Sequence, residues 1–224
     1  MQYVFDSRNN CCIQRFYDTC HFRCGRCCCD ARQMTVEEIF TKMASHMLDG
    51  VMIHEQLVHY HDFLHLPGYA RFHMERCLEE SVSYMRLYNY YLSHYGKLIP
   101  DVKVAPTNVI PKTWYSHTKK DVDSSTLRSS VKAGLEMWID WEKDTQKLYQ
   151  ELYMALMEIG EIASANYVSE CISDVTEELK EAECYYLNKK IRDYDITDIM
   201  DEQAKFSKEK CKEICKVIKD SFSV

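Results

Sequence analysis

The chain has 224 residues, 46% of them hydrophobic, and a formal net charge of -7. Its 6 Gly and 4 Pro are typical of long helices joined by few turns, and they exclude an all-β architecture. The acidic balance argues against a nucleic-acid binder that uses its whole surface. No apolar stretch approaches the roughly 20 residues of a membrane span, and the start lacks the apolar core of a secretory signal. We expect a soluble, cytoplasmic protein.

The first 33 residues differ from the rest of the chain. They hold seven of the 12 cysteines, among Arg, Asn and Asp, without helical periodicity: Cys11, Cys12, Cys20, Cys24, Cys27, Cys28 and Cys29. A reducing compartment favours metal ligation or simple burial over disulfides. The spacing from Cys20 through Cys24 to Cys27 would suit three thiolates on an iron-sulfur cluster; zinc on four cysteines, or disorder without metal, are the alternatives. We predict a separate extension, residues 1–33.

Apolar residues at helical spacing predict four long helices and one short one. The first opens with a capping box, in which Thr35 is the N-cap and Glu38 the third helical residue. On the second helix the predicted apolar stripe consists of Leu78, Met85 and Leu92. The predicted ranges, in chain order, are 35–65, 69–96, 124–158, 162–190 and 199–220.

The connection between the second and third helices is unusually long. Residues 97–123 contain three of the four prolines and no sustained helical repeat. Such a loop inside a compact domain indicates a crossover rather than a hairpin. Two tight helix pairs joined end to end make the second and third helices parallel. We therefore predict an all-α four-helix bundle over 34–198, followed by a C-terminal helix and tail, 199–224.

Each long helix carries a glutamate beside or within its apolar stripe: Glu55, Glu80, Glu142 and Glu178. Carboxylates are rarely buried unless they are paired or bind a cation. On the second helix Glu79 is the alternative, but Glu80 has Cys77 and Tyr84 as its predicted inward neighbours. These glutamates are therefore candidates for a site inside the bundle.

The four glutamates also fall at one predicted level along the bundle. Glu55 and Glu80 are each about 12 residues from the first turn at Pro67, or roughly 18 to 20 Å at the helical rise. Glu142 and Glu178 are each about 18 residues from the turn at Gly160, or roughly 27 Å. With the second and third helices parallel, these turns lie at opposite ends. The two pairs of carboxylates then meet near the middle.

The third predicted helix contains one specific motif: Trp141-Glu142-Lys143-Asp144, running on to Leu148 and Tyr149. It resembles the third-helix segment of ferritins that contains a metal-binding Glu, and Glu55 is placed similarly to the first-helix ligand. The resemblance covers roughly residues 34 to 195. It is to the ferritin-like superfamily, which includes ferritins, bacterioferritins and rubrerythrins. It implies a ferritin-like four-helix bundle with the long crossover described above.

The chain departs from this family in one respect. The Glu-x-x-His pairs are absent, since Ser83 follows Glu80 at that spacing and Glu181 follows Glu178. His59, four residues after Glu55, is a candidate for the missing imidazole, although a surface or packing role is the more ordinary one.

The resemblance implies a metal site in the bundle core. Its predicted ligands are Glu55, Glu80, Glu142, Glu178 and Glu181. Oxygen donors suit iron or manganese better than zinc or copper.

Two functions are consistent with this sequence. One is an oxidoreductase whose carboxylate-bridged di-iron or di-manganese site oxidises Fe(II) with oxygen or peroxide, or consumes peroxide. The resemblance implies that it is a homo-oligomer. The other is a non-catalytic structural or assembly protein with a degenerate site. Six lysines lie between 205 and 219; a solvated helix explains them better than contact with nucleic acid.

Overall fold

The computed structural model describes residues 33–104 and 122–205, with only the backbone of 203–205. The predicted leader, the middle of the crossover and the lysine-rich end of the tail lie outside these residues. The chain divides into two units, Met1–Met34 and Thr35–Val224, and every helix below belongs to the second. The helices are α1 (Val36–Phe63), α2 (Pro67–Tyr95), α3 (Ser124–Glu158), α4 (Ile162–Ile191) and α5 (Ile196–Lys205).

The helix ends follow local chemistry. Thr35 Oγ1 accepts from the Glu38 N–H at 3.2 Å, and Glu38 Oε2 accepts from the Thr35 N–H at 2.8 Å, which confirms the predicted capping box. Pro67 begins α2 because a first-turn position needs no N–H. Gly160, at a φ of +79°, allows the tight turn between α3 and α4.

Contacts between the helices define the topology. Neighbouring pairs α1–α2 and α3–α4 are antiparallel, since Phe40 packs on Tyr91 and Gln146 donates to Thr176. Along α2 and α3 the contacts advance together, from Phe72 against Trp138 to Glu80 against Trp141. The two helices are therefore parallel, as the crossover predicts. The described start of the crossover lies along α1, where Thr41 Oγ1 donates to the Pro100 carbonyl at 2.8 Å.

One apolar cluster lies between the α1–α2 turn, α3 and α5. It contains the fully buried Trp138 together with Leu66, Phe72, Val131 and Ile199. None of the described helices combines the length and apolarity required to span a bilayer.

The predicted apolar stripe of the second helix is wrong. Leu92 is 48% exposed, and Leu78 and Met85 are only partly buried. The buried face of α2 instead includes His73 and Arg76. Because polar side chains interrupt this buried face, the spacing of the apolar residues predicted that a neighbouring face of the helix is buried.

Candidate functional site

A cavity of about 170 Å³ lies in the bundle and is lined by residues from all four long helices. Its acidic lining residues are Glu79, Glu80, Glu142, Glu170, Asp174 and Glu178. Three of the glutamates expected at one level, Glu80, Glu142 and Glu178, therefore line the same cavity. The basic residues at its wall are Arg76 and Arg86.

Glu142 is the most deeply buried of these carboxylates, with 1% of its surface exposed. Trp138, one turn earlier on α3, donates its indole N–H to Glu142 Oε1 at 2.9 Å. The second oxygen, Oε2, is buried and has no hydrogen-bond partner among the described residues. An unsatisfied carboxylate oxygen in the core is costly unless it is protonated or binds a cation.

Glu80 is held by a second indole. Trp141 Nε1 donates to Glu80 Oε1 at 3.1 Å, and the Trp141 ring stacks on His46 with ring centroids 4.0 Å apart. Gly50 of α1 permits this packing, because a Cβ there would lie 2.7 Å from Trp141 Cζ2 and 3.0 Å from Glu80 Cδ. Two tryptophans thus orient one oxygen each of two glutamates.

Burial and mutual repulsion disfavour ionisation of these carboxylates. Burial, and then the charge of Glu178, raise the pKa of Glu80 to about 8. The pKa of Glu142 is raised by burial and by Glu178 and Glu80, and that of Glu178 is raised mainly by burial, with Arg76 acting against the shift. A divalent cation among these groups would replace protons and relieve the repulsion.

Arg76 is buried beside the carboxylates, with 6% of its surface exposed. Its guanidinium forms ion pairs with Glu79 Oε2 at 3.0 Å and Glu181 Oε2 at 3.2 Å. Burial lowers the pKa of Arg76, but the surrounding carboxylates raise it by more, so the group is always charged. Sequence reasoning missed Arg76, because an isolated arginine on a Glu-rich helix is normally solvated; its spacing of three residues from Glu79 was the available signal.

Histidine is the second residue type that sequence reasoning misplaced. His54 lines the cavity and is 1% exposed. Its Nδ1 lies 3.2 Å from Nδ1 of buried His73, while its Nε2 is buried without a partner among the described residues. Burial, and then the charge of Arg76, lower the pKa of His54 to about 3. At neutral pH it is an uncharged imidazole.

Known proteins resemble this chain in structure rather than in sequence. No protein-family model matches the chain, and no curated protein matches it in sequence. An open-pore ferritin from the hyperthermophilic archaeon Archaeoglobus fulgidus superposes with a TM-score of 0.63 at 16% identity, covering 79% of this chain and 98% of the ferritin. The fold is ferritin-like.

Two further solved structures support the ferritin-like fold. A form of the Archaeoglobus fulgidus ferritin engineered to be closed gives a TM-score of 0.62 at 16% identity, covering 79% of this chain and 98% of that one. A humanized archaeal ferritin gives 0.61 at 14% identity, with coverages of 77% and 95%. At such identities the fold is shared, and the site has to be argued from this chain's own residues.

Within the ferritin-like bundle, one predicted ligand position is wrong. Glu55 is exposed, so its side chain does not point into the bundle as expected. His59 is exposed too, which agrees with the more ordinary surface role and not with the missing imidazole. The buried face of α1 runs through Gly50, His54 and Leu57. Because this face contains a glycine and a histidine, the apolar pattern was read from Val51 and Val58 instead. These residues lie four before and three after Glu55, and they shifted the predicted inward face by one residue.

Glu181 occupies the edge of the site. Its carboxylate pairs with Arg76 and is 35% exposed, and it is not among the cavity-lining residues. In the part of the chain that the structure describes, no group of three or more His, Cys, Asp or Glu side chains is arranged so that it could hold a metal ion. The donors surround the cavity without converging on one point.

Proposed function

We propose that this ferritin-like protein binds iron(II) in the cavity and that iron(II) is its substrate for oxidation by oxygen or peroxide. The supporting observation is a set of carboxylates from three helices around one cavity, Glu142 buried and Glu80 and Glu178 half-buried, in which Glu142 Oε2 has no hydrogen-bond partner among the described residues. Glu80, Glu142 and Glu178 would hold the ion through oxygen, and His54 through Nε2. Carboxylate and imidazole donors suit iron.

The chain's own residues would prepare the site in three ways. Trp138 and Trp141 orient one oxygen each of Glu142 and Glu80. The carboxylates release protons as the cation enters, because their raised pKa values keep protons on them without it. Buried Tyr149 and Met47 form a largely apolar part of the cavity wall, which limits the access of water to the carboxylates. Bound iron(II) would supply the electron that reduces the oxidant.

Binding requires the donors to move together. They do not converge on one point in this structure, and we propose that the glutamate side chains rotate to close around an ion. Assembly into a homo-oligomer is part of the proposal; exposed Met154, Met157 and Ile162, near the α3–α4 turn, support association. A cytoplasmic location and the choice between oxygen and peroxide stay predictions.

A specific observation favours the alternative, a non-catalytic structural bundle. Arg76 already places one permanent positive charge among the carboxylates. Protons on Glu80 and Glu142 could neutralise much of the remaining charge without any metal. The two functions therefore differ in whether Glu142 binds a cation.

The first prediction tests this difference with Glu142→Gln, compared with Glu151→Gln at an exposed position of α3. We expect Glu142→Gln to lose the iron retained by the bundle and the oxidation of added Fe(II). Without metal it should equal the wild type in stability or exceed it by about 1 kcal/mol, because it replaces a buried acid whose ionisation is disfavoured by burial and by Glu178 and Glu80. Glu151→Gln should change neither property.

Metal analysis, Fe(II) oxidation and urea unfolding in the presence of a chelator provide the measurements. All variants carry the same cysteine-rich leader, so differences in iron content report on the bundle. Unchanged iron content and oxidation in Glu142→Gln would contradict the proposed site. A loss of about 3 to 5 kcal/mol without metal would identify Glu142 as part of a structural ion pair instead.

A further inference from the structure

One charged group at the cavity wall is a cation supplied by the chain itself, the guanidinium of Arg76. Arg76 lines the same cavity as Glu80, Glu142 and Glu178. Its guanidinium bridges α2 and α4 through Glu79 at 3.0 Å and Glu181 at 3.2 Å. A metal ion shared between two helices would use the same kind of carboxylate pair.

This cation is fixed in place as well as permanently charged. The Arg76 guanidinium carbon lies 5.2 Å from the centroid of the Trp138 ring and 5.5 Å from that of the Phe72 ring. Contacts of this kind add attraction to the ring faces, and a planar guanidinium can contact two carboxylates at once. Displacing it would leave the half-buried carboxylates of Glu79 and Glu181 without this counter-ion.

The second arginine at the cavity wall, Arg86, is exposed rather than buried beside the carboxylates. Glu142 Oε2 is buried without a partner among the described residues, and the hydrogen bonds of Glu80 and Glu142 to described side chains come from neutral indoles. These carboxylates can accept one further cation. The position between Glu79 and Glu181 cannot, because Arg76 fills it.

We infer that Arg76 takes the place of one of two cations in the cavity, so that the site binds a single divalent cation per chain. This inference rests on the proposed function and deepens it. It replaces the two-metal site expected from the sequence with one metal ion and one guanidinium. Removing the charge of Arg76 would open its position beside Glu79, Glu178 and Glu181 to a second ion.

The second prediction compares Arg76→Gln with Arg76→Lys in the full chain, using Mn(II) as the probe. Mn(II) prefers oxygen donors to thiolates, which limits binding by the leader, and Glu142→Gln gives the background. We expect one bundle-bound Mn(II) in the wild type and in Arg76→Lys, which keeps the charge. We expect two in Arg76→Gln, with the exchange-coupled electron paramagnetic resonance spectrum of neighbouring ions.

Calorimetric stoichiometry and thermal unfolding with and without Mn(II) complete the test. Arg76→Gln should be less stable than the wild type without metal, and Mn(II) should raise its unfolding midpoint by more. If Arg76→Gln does not fold alone, recovery of folded protein with two ions in Mn(II) supports the inference, and failure to recover overturns it.

The remaining outcomes separate this inference from the proposed function. Two ions in the wild type, or one in both the wild type and Arg76→Gln, overturn the inference and leave the cation site standing. No bundle-bound ion in the wild type overturns both, whether or not Arg76→Gln binds one.

Discussion

Among the described residues one arginine and one lysine are buried, Arg76 and Lys189, and their surroundings contrast. Lys189 is 2% exposed, and its ammonium contacts Asp198 at 2.7 Å and Glu202 at 2.6 Å, both on α5. Arg192 also pairs with Asp198. In this cluster, which we call the α5 lock, two cations face two carboxylates.

The cavity around Arg76 is not balanced in this way. One guanidinium faces Glu79 and Glu181 directly, while Glu80, Glu142 and Glu178 remain nearby. The pKa values show the contrast. Hydrogen bonding from Lys189 lowers the pKa of Asp198, whereas burial raises the pKa of Glu80 to about 8. A matched cluster stabilises the fold by itself, and an excess of buried acid creates a place for a cation or for protons.

The third prediction, with the largest expected effect on stability, breaks the α5 lock. Lys189→Ala leaves two carboxylates near the core without their ammonium partner, so we expect the free energy of unfolding to fall by about 3 to 5 kcal/mol. Urea unfolding measures this loss. Lys180→Ala, at an exposed position on the same helix, is the control and should change stability by less than about 0.5 kcal/mol.

Metal binding distinguishes the two clusters in the same variant. Lys189→Ala should retain the Mn(II) binding of the wild type under conditions where it is folded, since no cavity residue changes. Loss of Mn(II) from folded Lys189→Ala would show that the α5 lock and the cavity form one coupled unit.

The same contrast explains what could be predicted from the sequence. The apolar repeat and the capping box located the helices of the bundle, and the length of the 97–123 segment indicated its parallel crossover. Glu142 was identified because it interrupts the most regular stripe. These features depend on residues close together in sequence or on simple periodicity.

The errors occur where polar residues form part of the core. His54 and Arg76 are buried on the inward faces of their helices, where the sequence pattern predicts apolar residues. Their burial depends on partners from another helix, His73 for the first and Glu181 for the second. Exposed Glu55 was selected in place of His54 for the same reason. Pairing between distant polar residues leaves no periodic signal in a single chain.

The fourth prediction concerns the close packing of α1 against Trp141 and Glu80 at the cavity. Gly50→Ala should destabilise the protein by about 1 to 3 kcal/mol, because the new Cβ would lie 2.7 Å from Trp141 Cζ2 and 3.0 Å from Glu80 Cδ. In a helix without this contact, Gly→Ala stabilises by up to about 1 kcal/mol. The sign of the change therefore reports on packing.

Thermal unfolding and Mn(II) affinity measure the effect of Gly50→Ala. Asn89→Ala, at an exposed position of α2, improves helix propensity without entering the core and serves as the control. We expect weaker Mn(II) binding in Gly50→Ala, because Trp141 and Glu80 must shift together. A gain in stability with unchanged affinity would show that α1 does not constrain Glu80.

The fifth prediction, with the smallest effect for a change of one pH unit, is that the two clusters respond oppositely to pH. The pKa of Glu80 rises from 4.5 to about 8 on folding, so between these values the folded state binds more protons than the unfolded state. Cation-free stability should therefore fall as pH rises through this window, by at most about 1.4 kcal/mol per pH unit for each proton. The lowered pKa of Asp198 has the opposite consequence, because its stabilisation is present above its unfolded pKa and is lost as the pH falls through the folded one.

Urea unfolding between pH 3 and 9 with a chelator separates these contributions. Glu142→Gln should reduce the loss of stability above neutral pH, since it removes a charge that repels Glu80. Lys189→Ala should reduce the loss of stability in acid, because the hydrogen bond from Lys189 that lowers the pKa of Asp198 is then absent. Saturating Mn(II) should reverse the slope near neutral pH, because the ion binds the deprotonated carboxylates. A slope that Glu142→Gln and Mn(II) both leave unchanged would show that the pH dependence arises outside the cavity.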